Sequence, residues 1–455
     1  MTRASRRAVL GSGLALAAGA AVPAAAAGTA AAAAPRAAAA ADTDPWPDDL
    51  PLLSGPDFPI GIFWPPPPFE TTKQRYQEIV DAGFTFAITG NYLFDQYILK
   101  YALTQADAVG LKMLIADDQS LLDLTHRFTI SDDRTTPMSI SSADAAALAK
   151  QIVATYQGHP SLAGFNLYDE PSGQAVFDSL GKAMGAMRTA APGLLPYINL
   201  LPGQGPGQDT YLNAVVDAVH PPLLSFDRYP MSADGNEDPN YLTNWAQHRA
   251  VAQAAGIPSW VFIQTLAFNG RRSPSAADLA WQVNISLAYG AKGIQYFTYW
   301  TPDPARGEGF QSALLTVDGK RTEHYADSKH LNATWLSRVG KVLKHLPSES
   351  VEHANEPNPP ARVAVFAPDD WVASVTGAAV VLGRFTDPAN ASVRYLLVAN
   401  RTPHATSTVT LGLGPAAKGV AAYVARTDSF TPAKATARLP LTLAPGGATL
   451  LRLDG

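Results

Sequence analysis

Residues 275–299 read SAADLAWQVNISLAYGAKGIQYFTY and contain one complete joint between a helix and a strand. Ser275, with Asp278 three residues later, is the pattern of a helix start. Apolar residues follow at helical spacing, at Leu279, Val283 and Leu287. Gly290 then stands where a helix ends in a left-handed cap, and an apolar run of strand length begins at once. Such a joint is typical of a β/α unit in a parallel sheet.

The same joint recurs at Gly83, Gly110 and Gly256. Apolar runs of strand length alternate with helical patterns at residues 60–64, 84–90, 111–116, 162–168, 195–200, 223–226, 260–265 and 293–299. Eight alternations over about 250 residues favour a closed barrel over an open sheet, and no G-x-G-x-x-G follows the first run. The sequence therefore predicts an α/β fold, a (β/α)8 TIM barrel, over residues 45–346.

A second domain is predicted after the Pro-rich segment 355–360, which is typical of a linker. Short β-rich runs separated by Pro, Gly, Asn and Asp follow at residues 362–366, 395–399, 407–413 and 448–453. This pattern predicts a small all-β sandwich over residues 361–455. We expect it to pack against the barrel rather than to bind carbohydrate independently.

The N-terminus predicts export. Arg6 and Arg7 precede a small-residue apolar run that ends near residue 27, which is the pattern of a twin-arginine signal. The run is too weakly hydrophobic for a membrane anchor. Residues 1–41 are therefore predicted to be a signal peptide and an Ala-rich segment, removed from a secreted protein that begins between residues 28 and 44.

Composition excludes several classes of protein. The 34 basic and 39 acidic residues are scattered and give a net charge of -5, so no basic stripe indicates a nucleic-acid partner. The chain has no Cys, which excludes disulfides and a lipid-modified cysteine. Hydrophobic residues make up 47% of the chain, enough for a large core.

The active site of a TIM barrel lies at the C-terminal ends of its strands. The predicted catalytic carboxylic acids among the residues there are Asp169, Glu170 and Asp227. Cleaving a glycosidic bond needs one carboxylic acid and one carboxylate, and aromatic and amide side chains bind sugar rings and hydroxyls. The predicted substrate-binding residues are Trp64, Asn91, Tyr92, Tyr168, Asn199, Tyr229, Gln264, Tyr299 and Trp300.

Histidine and lysine are missing from the predicted strand ends. A metal-dependent amidohydrolase needs histidine ligands there, and an imine-forming aldolase needs a lysine nucleophile. We therefore expect neither a metal nor another cofactor in the reaction. The carboxylates, amides and aromatic rings at the strand ends predict an oligosaccharide or polysaccharide as the substrate.

Residues 164–172, GFNLYDEPS, resemble the strand-four signature of barrel glycosidases, in which a Glu followed by Pro is the general acid/base. Asp169 stands where Asn is usual. Residues 290–300 resemble strand eight of bacterial β-galactosidase-like barrels, and a small β-domain follows many of these barrels. The resemblance implies a glycoside hydrolase with Glu170 as its principal catalytic acid. Asn355-Glu356-Pro357 repeats the motif, but it follows no strand.

The second carboxylate is where the chain departs from this family. Strand seven carries Gln264 where the large clan of retaining barrel glycosidases has its nucleophilic Glu. Families similar to α-galactosidases and α-glucosidases pair strand four, which supplies the nucleophile, with strand six. That pattern implies Glu170 with Asp227 and leaves their two roles open.

The sequence also permits other interpretations of these carboxyls. In a hexosaminidase-like enzyme Asp169 would orient a 2-acetamido group while Glu170 protonates the leaving oxygen. Alternatively, the partner of Glu170 is Asp118, Asp303 or Glu308, and Asp227 forms an ion pair with Arg228 or Arg271. Gln264 also permits a barrel that binds carbohydrate without cleaving it.

Overall fold

A closed barrel of parallel strands forms the first layer of the structure. A computed structural model describes residues 50–203, 205–433 and 437–455. The barrel strands are β1 (Ile60–Phe63), β2 (Phe86–Ile88), β3 (Lys112–Ile115), β4 (Leu162–Asp169), β5 (Leu195–Leu200), β6 (Leu224–Asp227), β7 (Ser259–Gln264) and β8 (Gly293–Phe297). Each strand pairs with the next in the chain, and β8 closes on β1. The predicted TIM barrel is confirmed.

Helices form the layer outside the barrel. They are α1 (Lys73–Asp81), α2 (Gln96–Asp107), α3 (Ser142–Tyr156), α4 (Gln174–Ala190), α5 (Pro206–Val219), α6 (Tyr241–Ala255), α7 (Ala276–Ala288), α8 (Glu323–Leu331) and α9 (Ser337–Lys344). Shorter helical segments are Pro51–Ser54, Pro68–Glu70, Gln119–Leu122, Asp123–Arg127, Pro304–Arg306, Asn332–Leu336 and Ala425–Thr427, and Thr129–Ile130 pairs with Ser139–Ile140. None of the helices in the described ranges has both the length and the apolar character that a membrane span requires.

The joints that predicted the barrel have the expected local geometry. Ser275 and Asp278 form a reciprocal capping box at the start of α7. The four joint glycines have positive φ, at Gly83 (81°), Gly110 (74°), Gly256 (69°) and Gly290 (88°). A side chain is strained in this conformation, and a Cβ on Gly290 would also lie 2.8 Å from the Cβ of Ser348. These glycines let each helix turn directly into a strand.

Large rings fill the barrel interior because small residues make room for them. Phe86 and Trp260 meet inside with ring centroids 5.4 Å apart. A Cβ on Gly61 would lie 2.3 Å from the Phe86 ring, and one on Gly293 would lie 2.6 Å from Trp260. The interior is therefore a packed core, and only the strand ends are left for chemistry.

The C-terminal strands form two sheets, which are antiparallel except for one parallel pair, Ser348–Ala354 with Ala364–Val365. They are β9 (Ser348–Ala354), β10 (Ala364–Val365), β11 (Val372–Gly377), β12 (Val380–Thr386), β13 (Val393–Asn400), β14 (Ser407–Leu413), β15 (Gly419–Val424), β16 (Ser429–Pro432), β17 (Arg438–Leu443) and β18 (Ala448–Asp454). The larger sheet has the order β10-β9-β12-β13-β18-β15-β16, and the smaller has the order β11-β14-β17. The β-sandwich class is confirmed. Strand β9 precedes residue 361, the predicted start of this domain, because its polar sequence SESVEHA gives no strand signal. Asn355-Glu356-Pro357 therefore directly follows a strand, and the expectation that it follows none is wrong.

The larger sheet packs against α7 of the barrel. Trp281 Nε1 donates to the carbonyl of Arg401 (3.0 Å), and Asn284 Nδ2 donates to that of Gly446 (2.9 Å). Most of α7 is buried, since it lies between the barrel and the sheet. The predicted export segment, residues 1–41, and residues 45–49 of the predicted barrel domain lie outside the described residues.

Candidate active site

Adjacent strand ends bring an acidic cluster together at the C-terminal end of the barrel, hereafter the mouth. Asp169 on β4 is in register with Asn199 on β5, and Asn199 is in register with Ser225 on β6. Glu170 directly follows β4, and its backbone N–H donates to the carbonyl of Asn199 (2.9 Å). Asp227 ends β6. Parallel register thus places the three predicted catalytic carboxyls side by side.

The carboxyls are held by hydrogen bonds. Asn199 Nδ2 donates to Asp227 Oδ1 (2.8 Å) and to Asp169 Oδ1 (3.2 Å). The carboxyls of Glu170 and Asp227 also share a hydrogen bond. A hydrogen bond between two carboxyls requires that one of them is protonated.

A buried polar network supports Asn199 from below. Ser225 Oγ donates to Asn199 Oδ1 (3.1 Å), which fixes the amide with its NH2 group toward the carboxyls. The Tyr197 hydroxyl lies 2.6 Å from Ser225 Oγ, and Gln295 Nε2 donates to both hydroxyls (2.8 and 3.1 Å). Three strands therefore determine the position of one amide group.

Burial and mutual repulsion raise the pKa values of the three carboxyls. Burial raises the pKa of Glu170 to about 7, the charge of Asp169 adds to the rise, and the hydrogen bond with Asp227 opposes it. Burial, then the charges of Glu170 and Asp169, raise the pKa of Asp227 well above its usual range. Burial in the mouth also raises the pKa of Asp169. Asp169 is nevertheless exposed as a residue, so it lies on the open side of the mouth.

Strained backbone is concentrated at the mouth. Five of the eleven non-glycine residues with positive φ in the described ranges follow strands β1 to β4: Trp64, Asn91, Tyr92, Asp117 and Glu170. Each such position costs of order 1–3 kcal/mol and persists only where the surroundings impose it. The turn at Glu170 (φ 53°) places its side chain against Asp227.

Asp117 is a mouth residue that sequence reasoning missed. Asp118, the predicted alternative partner, is buried, caps Gln119–Leu122 through the N–H of Leu121 (2.9 Å) and accepts from the Tyr156 hydroxyl (2.7 Å). Asp117 is exposed as a residue. Desolvation of its carboxyl by the surrounding mouth, and then the charge of Asp169, raise its pKa to about 6. Asp118 therefore has the structural role, and Asp117 is the carboxyl that faces the mouth. The signal available in the sequence was the pair of adjacent Asp residues at a strand end.

The loop after β8 crosses the rim of the mouth. The Arg306 guanidinium lies 4.5 Å from the centroid of the Trp64 ring. The Tyr92 hydroxyl donates to Asp303 Oδ2 (3.4 Å). Asp303 also caps Pro304–Arg306, and Glu308 lies 3.5 Å from Arg306, so both alternative partners of Glu170 have contacts in this loop.

Arg228 and Arg271, the alternative ion-pair partners considered for Asp227, bind other groups. Arg228 donates to Asp238 (2.7 Å), and Arg271 donates to the carbonyl of Tyr229 (2.9 Å). The Tyr229 ring lies against Phe297 with centroids 5.0 Å apart. The charge of Asp227 contributes to the raised pKa of Tyr229 after burial does, which places this ring beside the carboxyls.

Several predicted substrate-binding residues lie away from the mouth. Gln264 is fully buried. Its Oε1 accepts from the N–H of Met231, and its Nε2 donates to the carbonyls of Leu266 and Arg272. Tyr299 is buried against Phe84, and Trp300 is buried with its Nε1 donating to the carbonyl of Val317. The structure does not bring these three side chains to the mouth, because protein encloses them.

Two further predicted residues have contacts within the protein. Asn91 is buried and donates to the carbonyl of Pro65 (2.9 Å). Tyr168 stacks on His126 with centroids 4.0 Å apart, on the outer side of β4. Of the predicted binding set, Trp64 and Tyr92 reach solvent at the mouth, and Asn199 and Tyr229 are buried beside the carboxyls. Residues 267–271 and 307–311 line an open pocket of about 390 Å³, which none of the carboxyls of the cluster lines.

Replacing Asn199 by Ala is expected to lower kcat/KM about 10- to 100-fold, because hydrogen bonds to charged groups contribute about 1.5–3 kcal/mol. The pKa of Asp227 should also rise, since the Asn199 amide opposes the rise. A pH profile of kcat/KM measures both effects. Asn213→Ala, on the exposed face of α5, is the control, and an unchanged profile in Asn199→Ala would show that the amide does not act on the pair.

The fold matches solved glycoside hydrolases, although no protein-family model and no curated protein sequence matches the chain. The β-L-arabinopyranosidase of glycoside hydrolase family 27 from Geobacillus stearothermophilus superposes with a TM-score of 0.50 at 10% identity, covering 88% of this chain and 97% of the other. The β-galactosidase of the Antarctic haloarchaeon Halorubrum lacusprofundi gives a TM-score of 0.50 at 12% identity, covering 87% and 99%. The chain therefore has the architecture of these glycoside hydrolases, a (β/α)8 barrel followed by antiparallel β-sheets.

Proposed function

We propose that the protein is a glycoside hydrolase that cleaves O-glycosidic bonds with Glu170 and Asp227. The observation that carries the proposal is the carboxyl cluster that strand register and the Asn199 amide hold at the mouth of a TIM barrel, where burial and mutual repulsion raise the pKa values of Glu170 and Asp227. Glycoside hydrolysis needs one carboxyl that is protonated and one that is ionised near neutral pH. A pair that shares one proton supplies both. The twin-arginine pattern supports action outside the cytoplasm.

Asp227 is the better proton donor of the two. It ends a strand beside the charges of both Glu170 and Asp169, so ionising it brings a third negative charge into the cluster. Glu170 ionises at the lower pKa and has the carboxylate that attacks the anomeric carbon. Carboxyls within hydrogen-bonding reach are closer than the spacing of about 6.5–9.5 Å that an inverting pair needs for water, which favours retention of configuration.

The reaction then follows from these residues. Asp227 protonates the glycosidic oxygen while the Glu170 carboxylate attacks the anomeric carbon, so the C–O bond to the leaving sugar breaks as the bond to Glu170 forms. Asp227, now ionised, takes a proton from water, whose oxygen displaces Glu170 and regenerates the shared proton. Trp64 supplies a ring face for the sugar.

A substrate-assisted reaction is the second candidate. Asp169 is open to solvent, adjoins Glu170 and is oriented by the Asn199 amide. This arrangement suits a carboxylate that holds a 2-acetamido group of the substrate while Glu170 acts as the acid. Paired aryl glycosides with a 2-hydroxyl or a 2-acetamido group distinguish the two mechanisms, since only the second requires the amide.

The test of the proposed function is the release of reducing ends from a panel of labelled glycans. We expect cleavage by the wild-type protein, and proton NMR should show which anomer forms first. Binding of oligosaccharide with no new reducing ends over days would instead identify a carbohydrate-binding barrel, and absence of both binding and cleavage would refute a role in glycan chemistry.

The pH dependence of kcat/KM is expected to follow the pair. The productive form needs ionised Glu170 and protonated Asp227, so kcat/KM should rise as the pH increases through about 7 and fall where Asp227 ionises. Initial rates between pH 4 and pH 10 on one aryl glycoside measure this profile. A rate that is maximal near pH 5 and falls through 7 would reverse the two roles, because Glu170 would then act in its protonated form.

A further inference from the structure

The loop after β2 and the start of α2 carry exposed aromatic rings. The exposed fractions are 51% for Tyr92, 48% for Phe94, 74% for Tyr97 and 50% for Tyr101. Half of the eight large hydrophobic side chains that are exposed in the described ranges lie in this ten-residue segment. Exposed apolar residues grouped in this way mark an interaction site.

These rings begin at the mouth and continue away from it. Tyr92 contacts Asp303 on the rim through its hydroxyl (3.4 Å). Phe94 follows in the same loop, and Tyr97 and Tyr101 are four residues apart on α2, so they share one helix face about 6 Å apart along the axis. We define Tyr92, Phe94, Tyr97 and Tyr101 as the aromatic track.

The chemistry of the aromatic track fits a neutral polymer. Residues 91–101 contain one acidic and one basic residue, Asp95 and Lys100, and therefore have no net charge. A membrane or nucleic-acid surface is anionic and would require a basic patch. Tyrosine presents an apolar ring face together with a hydroxyl group, which suits a surface that alternates ring faces and hydroxyls.

We propose that the aromatic track binds the extension of a neutral polysaccharide chain whose scissile bond lies in the mouth. This inference rests on the proposed function and adds to it that the substrate is a polymer. Each of Tyr97 and Tyr101 would stack on a sugar ring outside the mouth. The track would then raise affinity for long chains without touching the reacting bond.

The test separates polymer binding from catalysis. Glu170→Gln protein is run in native gels that each contain hydroxyethylcellulose, xylan, galactomannan or a β-1,3-glucan. We expect retardation in at least one gel, and adding Tyr97→Ala and Tyr101→Ala should weaken binding there about tenfold, equal to about 1.4 kcal/mol. Tyr97→Phe with Tyr101→Phe should retain most of the binding, because the rings remain.

Exposed apolar side chains outside the aromatic track provide the controls. Met138→Ala and Val365→Ala remove exposed apolar side chains elsewhere and should leave binding unchanged. With Glu170 intact, the Tyr97→Ala, Tyr101→Ala protein should cleave a short aryl glycoside at the wild-type rate. No retardation in any gel, equal retardation of the track variant, or binding to phosphatidylcholine vesicles alone would overturn the inference. Polymer binding without hydrolysis by the wild-type protein would refute the proposed function only.

Discussion

Glu170→Gln is expected to lower kcat on the natural glycan by at least 10²- to 10⁴-fold while the protein still folds. The substitution keeps the shape of the side chain and its contact with Asp227, but an amide cannot attack the anomeric carbon. Positioned acid/base catalysis alone is worth about 10² to 10⁴ in rate, or roughly 3–5 kcal/mol, and loss of a nucleophile costs more. Steady-state rates of reducing-end release, with circular dichroism for folding, measure the effect.

Glu356→Gln is the matched control, because Asn355-Glu356-Pro357 repeats the local motif of Asp169-Glu170-Pro171. Glu356 accepts from His353 Nδ1 (2.6 Å) and Arg401 Nε (2.9 Å) in the C-terminal sheets. Its substitution should therefore lower the thermal midpoint but leave kcat of the folded protein unchanged. If Glu170→Gln keeps more than about a tenth of wild-type kcat, a loss below about 1.4 kcal/mol, Glu170 is not catalytic.

Asp227→Asn is expected to reduce kcat on the natural glycan by a similar factor, because it removes the proton that the leaving oxygen needs. An aryl glycoside with a good leaving group needs little protonation. On that substrate Asp227→Asn should recover a large part of the wild-type rate for forming the glycosyl-enzyme, whereas Glu170→Gln should not. The burst of released phenol in rapid-mixing experiments measures this first step.

The two variants together assign the roles. Recovery in Glu170→Gln and none in Asp227→Asn would make Glu170 the acid and Asp227 the nucleophile. Wild-type activity of Asp227→Asn on both substrates would remove Asp227 from the reaction and direct attention to Asp117, whose pKa is raised to about 6 at the same mouth.

The desolvated pair explains why the mouth needs support from three strands. A carboxyl that is held near other negative charges destabilises the folded state as the pH rises above its ordinary pKa. Asn199 offsets part of this repulsion with two hydrogen bonds, and Ser225, Tyr197 and Gln295 fix its orientation. The buried network is therefore a means of keeping two carboxyls close together in a fixed geometry.

The sequence by itself determined the barrel, because its signals are local. Helix caps, joint glycines and apolar runs such as 195–200 depend on neighbours within a few residues, and all eight predicted strands are confirmed. It also determined which residues stand at strand ends. Since parallel strands end at one edge, Asp169, Glu170 and Asp227 were predictable as neighbours from the strand count alone.

Only the tertiary structure decided where the side chains at those ends point. Gln264 and Trp300 stand at strand ends as Asn199 and Trp64 do, yet the loops around them enclose the first two and leave the others at the mouth. Asp117 and Asp118 are adjacent, and a left-handed turn with a helix cap gives them opposite roles. Side-chain direction at a strand end depends on the turn that follows and on the loops packed over it, and both are set by contacts remote in sequence.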